Sequence, residues 1–221
     1  MIQPDLPIRK GRPAELILVR HGHVHGIAPP SFRGRGDLPL TELGLRQAAA
    51  TRDFLATPEQ PQTIYASPLW RCTLTAKIIA EPHSVPVTPV SAFIDMDYGE
   101  WQGRTFEHVR AAAPEAFALW LRQPHLAIIP GGEALADVAA RVASVMRMIV
   151  TAQPQAPTVL VGHDVVNRVL LLLALELPLS RFWHIDQAPC AINRLSFDQE
   201  SGWTVRSINE TGHLASVAEP P

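Results

Sequence analysis

Two short apolar runs, far apart in the chain, lead into histidines, and this pattern restricts the fold more than any other feature. The first run is Leu16–Val19, followed by Arg20 and His21; the second is Thr158–Val161, with His163 two residues further on. Such runs predict buried strands, and long helical patterns lie between them. Strands alternating with helices predict a parallel sheet covered on both faces. Because ligands bind beyond the carboxyl ends of such strands, we expect the two histidines to meet there.

The length of 221 residues fits one domain at the upper end of the common range. We predict a three-layer α/β/α sandwich with a mainly parallel central sheet, in a single domain over residues 15–213. Residues 1–14 are expected to form a flexible N-terminal lead-in, and residues 214–221 a C-terminal tail. Ala191–Phe197 and Trp203–Ile208 predict a closing antiparallel hairpin.

Capping residues predict where two of the helices begin. Thr41 is a suitable N-cap for a helix that runs to about Ala56. Ser67 followed by Pro68 predicts an N-cap and a first-turn proline for a helix that runs to about Ala80.

Composition argues against several classes of partner. The chain has 19 Lys and Arg against 21 Asp and Glu, a formal net charge of -2, which gives no support for binding nucleic acid or an anionic membrane. The longest apolar candidate, Val165–Leu177, is too short and too polar to span a membrane. Cys72 and Cys190 lack metal-ligand spacing, so we expect buried, reduced thiols and a cytoplasmic protein. The sequence leaves the oligomeric state open, with a homodimer among the alternatives.

The end of the first strand has the composition of an anion site that holds a nucleophile. A guanidinium at the edge of a sheet is costly unless an anion pairs with it, which assigns Arg20 an anionic ligand. Arg71, after the loop at Ser67, offers a second planar fork that matches phosphate oxygens. His21 can attack phosphorus through its unprotonated ring nitrogen if a backbone carbonyl fixes the tautomer.

Five motifs in order resemble the histidine phosphatase superfamily, in its phosphoglycerate mutase-like branch. They extend over roughly residues 16–175 and comprise Val19-Arg20-His21-Gly22, Ser67-Pro68-Leu69 with Arg71, Tyr98-Gly99-Glu100-Trp101-Gln102-Gly103, Pro130-Gly131-Gly132-Glu133 and Val161-Gly162-His163. The resemblance implies a phosphohistidine on His21 that water later hydrolyses, without a metal or other cofactor. It also implies that Arg20, His21, Arg71 and His163 bind phosphate, with His163 donating to the phosphoryl oxygens.

The proton donor for the leaving group has two candidates. Asp95 stands where the family usually has a glutamate, and Asp164 stands directly after His163, where close relatives usually have glycine. A His-Asp pair at that position resembles the acid phosphatase branch, whose aspartate is the donor. We favour Asp95, because the other motifs belong to the mutase-like branch, and keep Asp164 as the alternative.

Two further positions depart from the family pattern. His23 replaces a usual glutamate, and Ile27 replaces an asparagine that in many relatives touches phosphate. Arg33, Arg35 or His25 could compensate for the missing asparagine. The alternative is that these are solvent-exposed loop charges.

The function predicted from these residues is hydrolysis of a small phosphorylated metabolite. Phosphoglycerate mutase-type transfer is the nearest alternative, but the short span between the third and fourth motifs favours transfer to water. A second alternative is a catalytically weak module that binds phosphorylated ligands. The least favoured alternative is a metal-dependent hydrolase, in which alternating His21, His23 and His25 would ligate a metal together with His163 or Asp164.

Overall fold

A six-stranded mixed sheet forms the centre of the molecule. A computed structural model describes residues 13–56, 60–152, 154 and 156–217. The strands are β1 (Ala14–Arg20), β2 (Thr63–Ala66), β3 (Val87–Pro89), β4 (Thr158–Gly162), β5 (Ile192–Asp198) and β6 (Gly202–Glu210). Their order is β3-β2-β4-β1-β5-β6. The first four run parallel, whereas β5 is antiparallel to β1 and β6 is antiparallel to β5. This confirms the mainly parallel sheet and the closing hairpin.

Helices cover both faces of the sheet. They are α1 (Glu42–Leu55), α2 (Trp70–Ala80), α3 (Phe106–Ala112), α4 (Pro114–Arg122), α5 (Leu135–Thr151) and α6 (Asp164–Ala174). Side chains of β1 alternate between two cores: Leu16 and Leu18 pack with α5 and α6, and Ile17 and Val19 pack with α1 and α2. This alternation explains why the strand is apolar at every position. The α/β/α prediction is confirmed.

The register of β1 and β4 brings the two histidines to one edge. Arg20 lies opposite Gly162, so the next residues, His21 and His163, leave the sheet side by side. The His21 backbone N–H donates to the Gly162 carbonyl over 2.9 Å. Two residues 142 positions apart in the sequence therefore meet at the carboxyl ends of neighbouring strands.

The structure corrects the predicted start of α2. Leu69, not Ser67, is the N-cap residue, and it makes no side-chain cap. The Ser67 hydroxyl lies instead 2.7 Å from a ring nitrogen of His163. Thr41, in contrast, caps α1 as predicted, because its hydroxyl accepts from the Gly44 N–H over 3.1 Å.

The predicted domain limits fall partly outside the described residues. Residues 1–12 and 218–221 lie beyond that range, so the lead-in stays a prediction, as does most of the tail. Within the range, β1 begins at Ala14, and a short 3-10 turn, Gly212–Leu214, follows β6. No helix in the described part of the chain is long and apolar enough to cross a bilayer.

Candidate active site

His21 is buried at the end of β1 and held as a single tautomer. Its Nδ1 lies 2.7 Å from the Gly22 carbonyl oxygen. A carbonyl can only accept, so Nδ1 carries the proton and Nε2 keeps its lone pair. Gly22 is required here because a Cβ would lie 2.6 Å from the Gly44 carbonyl oxygen. This is the arrangement expected of a nucleophilic imidazole.

The surroundings of His21 keep its ring neutral. Burial lowers its pKa well below the usual histidine value, and the charges of Arg71 and Arg20 lower it further. His163 lies edge-on to it, with the ring centroids 5.3 Å apart. Burial, Arg71 and His21 likewise hold the pKa of His163 well below the ordinary value. Both imidazoles are therefore uncharged at neutral pH.

His163 has a hydrogen-bonding partner at each ring nitrogen. Arg71 Nε donates to Nδ1 over 3.3 Å, and because a guanidinium cannot accept, the ring proton must reside on Nε2. That Nε2–H then donates to Ser67 Oγ, at 2.7 Å. The two contacts orient the ring and fix its donor nitrogen.

Replacing Ser67 with alanine is expected to lower kcat about 3- to 10-fold with little change in KM. The variant loses one hydrogen bond that orients His163, worth about 1 kcal/mol. Steady-state kinetics with p-nitrophenyl phosphate checks this, with Thr73→Ala as the control, since this half-buried hydroxyl of α2 donates to the Trp70 carbonyl of its own helix. A Ser67→Ala enzyme that matches wild type would contradict the positioning role.

Arg71 is fully buried, and the protein occupies its donors. Its Nη groups donate to the Gly36 and Gly34 carbonyls, each at 2.6 Å, and Nη2 also pairs with Asp95 Oδ2 at 3.0 Å. Arg20 differs: Nη1 donates to the Gln187 carbonyl, while its buried Nε has no partner among the described residues. Arg20 therefore offers an anion the more readily available donor.

Asp95 is buried beside both Arg71 and His163. Its Oδ2 lies 3.5 Å from His163 Nδ1, and Oδ1 accepts from the Met96 N–H at 2.9 Å. Burial raises the pKa of Asp95 above the ordinary aspartate value, although the charge of Arg71 acts in the opposite direction. A raised pKa favours the protonated form that a general acid needs.

Asp164 has the opposite electrostatic setting. Burial acts to raise its pKa, but Arg20 and Arg168 outweigh that effect and lower it. Arg168, one helical turn further along α6, donates to Asp164 Oδ1 over 2.6 Å. An aspartate paired in this way remains a carboxylate, so of the two candidates Asp95 is better suited to donate a proton.

Two arginines fix the backbone at Asp95. Arg141 Nη2 donates to the Asp95 carbonyl at 3.2 Å, and Arg35 Nε at 3.4 Å. Glu133 pairs with both arginines, at 3.1 and 3.2 Å. The Gly-Gly-Glu motif therefore supports the segment that carries Asp95.

A cavity of about 220 Å³ is lined by Arg20, Asp95 and Asp164 of this site, whereas His21, Arg71 and His163 lie outside its lining. Its charged lining residues are Arg20, Arg33, Asp95 and Asp164, and its apolar walls are formed by Ile27, Pro30, Tyr98, Phe106, Trp120, Val165 and Trp183. The Trp183 indole N–H donates to the Trp120 carbonyl over 2.9 Å, which ties two walls together. The space is suited to a small molecule with a charged end.

The three alternating histidines do not converge. His23 Nδ1 lies 2.9 Å from Thr41 Oγ1, and His25 is exposed in a separate groove lined also by Gly26 and Gln102. Nowhere in the described ranges are three or more His, Cys, Asp or Glu gathered as metal ligands. The metal-centre alternative therefore lacks the geometry on which it depended.

Of the three candidates to replace the missing asparagine, only Arg33 lines the cavity, together with Ile27. Arg35 pairs with Asp97 and Glu133 instead. The sequence analysis assigned Ser67 to a helix cap and missed its contact with His163. It also missed Arg168, although a spacing of four residues on a helix predicts an ion pair with Asp164.

The fold and these side chains define a class of protein: an α/β sheet that holds a neutral, buried histidine among buried arginines at the carboxyl ends of its strands. The model of the histidine phosphatase superfamily (branch 1) matches residues 16–211. The chain therefore belongs to that superfamily.

Similarity to individual proteins agrees with this assignment. The chain is 33% identical over 202 residues to phosphoserine phosphatase 1 of Hydrogenobacter thermophilus, covering 90% of this chain and 94% of that protein. It is 31% identical over 207 residues to a bifunctional protein of Mycobacterium tuberculosis, covering 93% of this chain but 56% of the other, so it spans about half of that relative. The structure of a mycobacterial glucosyl-3-phosphoglycerate phosphatase superposes with a TM-score of 0.82 at 29% identity, covering 90% and 100% of the two chains.

Proposed function

We propose that this protein hydrolyses the phosphate monoester of a small metabolite through a phosphohistidine on His21, without a metal. The observation that carries the proposal is the tautomer of His21, whose Nδ1 bonds to the Gly22 carbonyl and leaves Nε2 free to attack. Relatives of similar length are named phosphoserine and glucosyl-3-phosphoglycerate phosphatases, which supports a small phosphorylated substrate. A cytoplasmic location and a homodimer stay predictions.

In the first step, His21 Nε2 forms a bond to phosphorus and the bond from phosphorus to the ester oxygen breaks. Asp95 gives its proton to the departing alkoxide and becomes a carboxylate. Arg20 and Arg71 bind the phosphoryl oxygens. His163 donates its Nε2–H to the charge that develops on them once this proton leaves Ser67 Oγ, which accepts it in the free protein. Arg71 reaches the phosphoryl group only if it gives up one of its present acceptors, which are His163 Nδ1, Asp95 Oδ2 and the carbonyls of Gly34 and Gly36.

In the second step, water attacks the phosphorus atom and the bond to His21 Nε2 breaks. Asp95, now a carboxylate, accepts the proton of the water and returns to its acid form. The neutral His21 is restored and phosphate leaves. Asp164 remains a carboxylate throughout and is assigned to the walls of the cavity rather than to proton transfer.

The test is phosphate release from a panel of monoesters, measured with and without EDTA. We expect turnover of at least one small monoester, unchanged by the chelator. Activity lost with EDTA and restored by zinc would favour the metal-dependent alternative. Phosphate transferred to a second phosphoglycerate instead of water would favour the mutase. Binding of a monoester without turnover would favour the weak binding module.

The leaving group should determine how the rate depends on pH. Because burial raises the pKa of Asp95, its acid form persists to higher pH than in an exposed aspartate, and is lost as pH rises through that raised value. We therefore expect kcat/KM for an alkyl phosphate, divided by that for p-nitrophenyl phosphate, to fall with rising pH. The ratio cancels titrations common to both substrates, since p-nitrophenolate leaves without a proton.

The Asp95→Asn variant should lose this pH dependence of the ratio, and Asp164→Asn should keep it. A flat ratio in wild type, or one flattened only by Asp164→Asn, would contradict the assignment of Asp95.

A further inference from the structure

The guanidinium of Arg20 is oriented by a single hydrogen bond. Arg71 donates to four acceptors, whereas the side chain of Arg20 donates to one among the described residues, the Gln187 carbonyl, through Nη1. Its buried Nε has no partner in that part of the chain. The position of the Gln187 carbonyl therefore determines where the remaining donors of Arg20 point.

Gln187 lies in a loop, and hydrogen bonds hold its side chain at both ends of the amide group. Its Nε2 donates to the Asp186 carbonyl at 2.7 Å and to Asn193 Oδ1 at 2.8 Å. Its Oε1 accepts from Asn193 Nδ2 at 2.9 Å and from Asn167 Nδ2 at 3.3 Å. The amide has two donor hydrogens and two lone pairs, so its capacity is filled. The side chain therefore fixes the place of Gln187 in the fold.

Asn193 can adopt only one orientation at this contact. It is fully buried on β5, opposite Leu18 of β1. Its Oδ1 accepts from the backbone N–H of Asn209 at 2.9 Å, and its Nδ2 donates to the Leu18 carbonyl at 3.0 Å. Because an N–H can only donate and a carbonyl can only accept, the amide cannot be turned round. Asn193 therefore presents to Gln187 the acceptor and the donor that the Gln187 amide needs.

The same loop also holds the backbone of Arg20. The Cys190 N–H donates to the Arg20 carbonyl at 3.1 Å. Asn209 Oδ1 accepts from the Ala188 N–H at 2.7 Å, which ties the loop to β6 as well as to β5. The loop of residues 187–191 is therefore anchored in the sheet, and it contacts both the main chain and the guanidinium of Arg20.

We propose that Gln187 and Asn193 are positioning residues for phosphate binding: their paired amides hold the Gln187 carbonyl where it directs the guanidinium of Arg20 at the phosphoryl group. This rests on the proposed phosphatase function and deepens it, because Arg20 is one of the two arginines assigned to the phosphoryl oxygens. The two amides act through Arg20, since neither residue lines the cavity. A donor that is already oriented needs no reorganisation when charge develops on the substrate.

The test measures the binding of vanadate, a phosphate analogue without a leaving group, by calorimetry. Gln187→Met and Asn193→Leu each keep the approximate volume of the side chain and remove its amide. Both changes are also made in an Arg20→Met background. Ser196→Ala is the control, because this buried residue lies on the same strand but opposite Glu15, near the other end of β1. Tm values show that each variant is folded at the temperature of the measurement.

Each variant should weaken vanadate binding about 5- to 30-fold, the loss expected when a hydrogen bond that orients a charged donor is broken. We expect kcat/KM to fall by the same factor for an alkyl phosphate and for p-nitrophenyl phosphate, because Asp95 keeps its contacts. In the Arg20→Met background, neither change should weaken vanadate binding by more than about twofold, since the guanidinium that it positions is absent. Ser196→Ala should bind vanadate like wild type.

Vanadate affinities of both variants within about twofold of wild type would overturn the proposal. Equal losses with and without the Arg20 guanidinium would also overturn it, because they would show a general distortion of the site. Gln187→Met changes a loop residue and leaves β5 intact, so it carries the test if Asn193→Leu does not fold. Failure of the phosphatase proposal has a different signature, since wild type would then hydrolyse no monoester, whatever the vanadate affinities.

Discussion

Replacing His21 with alanine is expected to lower kcat by about 10⁴- to 10⁶-fold, the range seen when a catalytic nucleophile is removed. Nε2 of this imidazole keeps its lone pair beside Arg20 and Arg71, and it is the atom that forms the proposed bond to phosphorus. His163 cannot substitute, because Arg71 donates to its Nδ1 and its Nε2 carries the proton. The measurement is kcat for the best monoester, with matching Tm values to show that the variant folds.

His108→Ala is the matched control, because this histidine is exposed on α3 and does not line the cavity. It should retain full activity. A His21→Ala enzyme within tenfold of wild type would refute the covalent mechanism, whereas an equal loss in His108→Ala would point to a general effect on folding.

Replacing Asp95 with asparagine should have the second-largest effect, and that effect should depend on the leaving group. For an alkyl phosphate we expect kcat to fall by about 10²- to 10⁴-fold, the usual contribution of a general acid. For p-nitrophenyl phosphate the loss should be less than about tenfold, because the phenolate leaves unprotonated. Asparagine keeps the shape of the side chain and a carbonyl oxygen toward Arg71, so the buried guanidinium retains an acceptor.

Asp164→Asn supplies the matched comparison, since it makes the same chemical change at the other aspartate that lines the cavity. Its carboxylate is paired with Arg168 and its pKa is lowered, so its removal should not distinguish between leaving groups. If Asp164→Asn shows the larger loss with the alkyl ester and Asp95→Asn does not, the two assignments must be exchanged.

Much of the fold follows from local sequence signals. The start of α3 follows from Thr105, whose hydroxyl accepts from the His108 N–H, and Pro114 begins α4 where its missing N–H is tolerated. The strand Val87–Pro89 is short, because prolines limit pairing at this edge of the sheet. Ser67 does not cap α2, because its hydroxyl is hydrogen-bonded to His163, a residue distant in the sequence.

Some residues of the site can also be predicted from local sequence patterns, whereas the roles of others depend on tertiary contacts. Arg20, His21 and His163 were predicted because each follows a buried strand, and the parallel register then brings the histidines together. The sequence favoured Asp95 over Asp164 only through the family resemblance. The physical difference between the two depends on burial beside Arg71 in one case and on pairing with Arg168 in the other. The separation of Arg33 from Arg35 likewise depends on which guanidinium the folded loop directs to the cavity.

Covalent labelling tests the central claim most directly. Enzyme mixed with a ³²P-labelled monoester is stopped within milliseconds in alkaline detergent, which preserves phosphohistidine, and the labelled peptide is identified by mass spectrometry. The mechanism predicts label on His21 that appears and decays at rates consistent with kcat, and none in His21→Ala. Turnover of the ester with no labelled histidine at any time, or label on a residue other than His21, would contradict it.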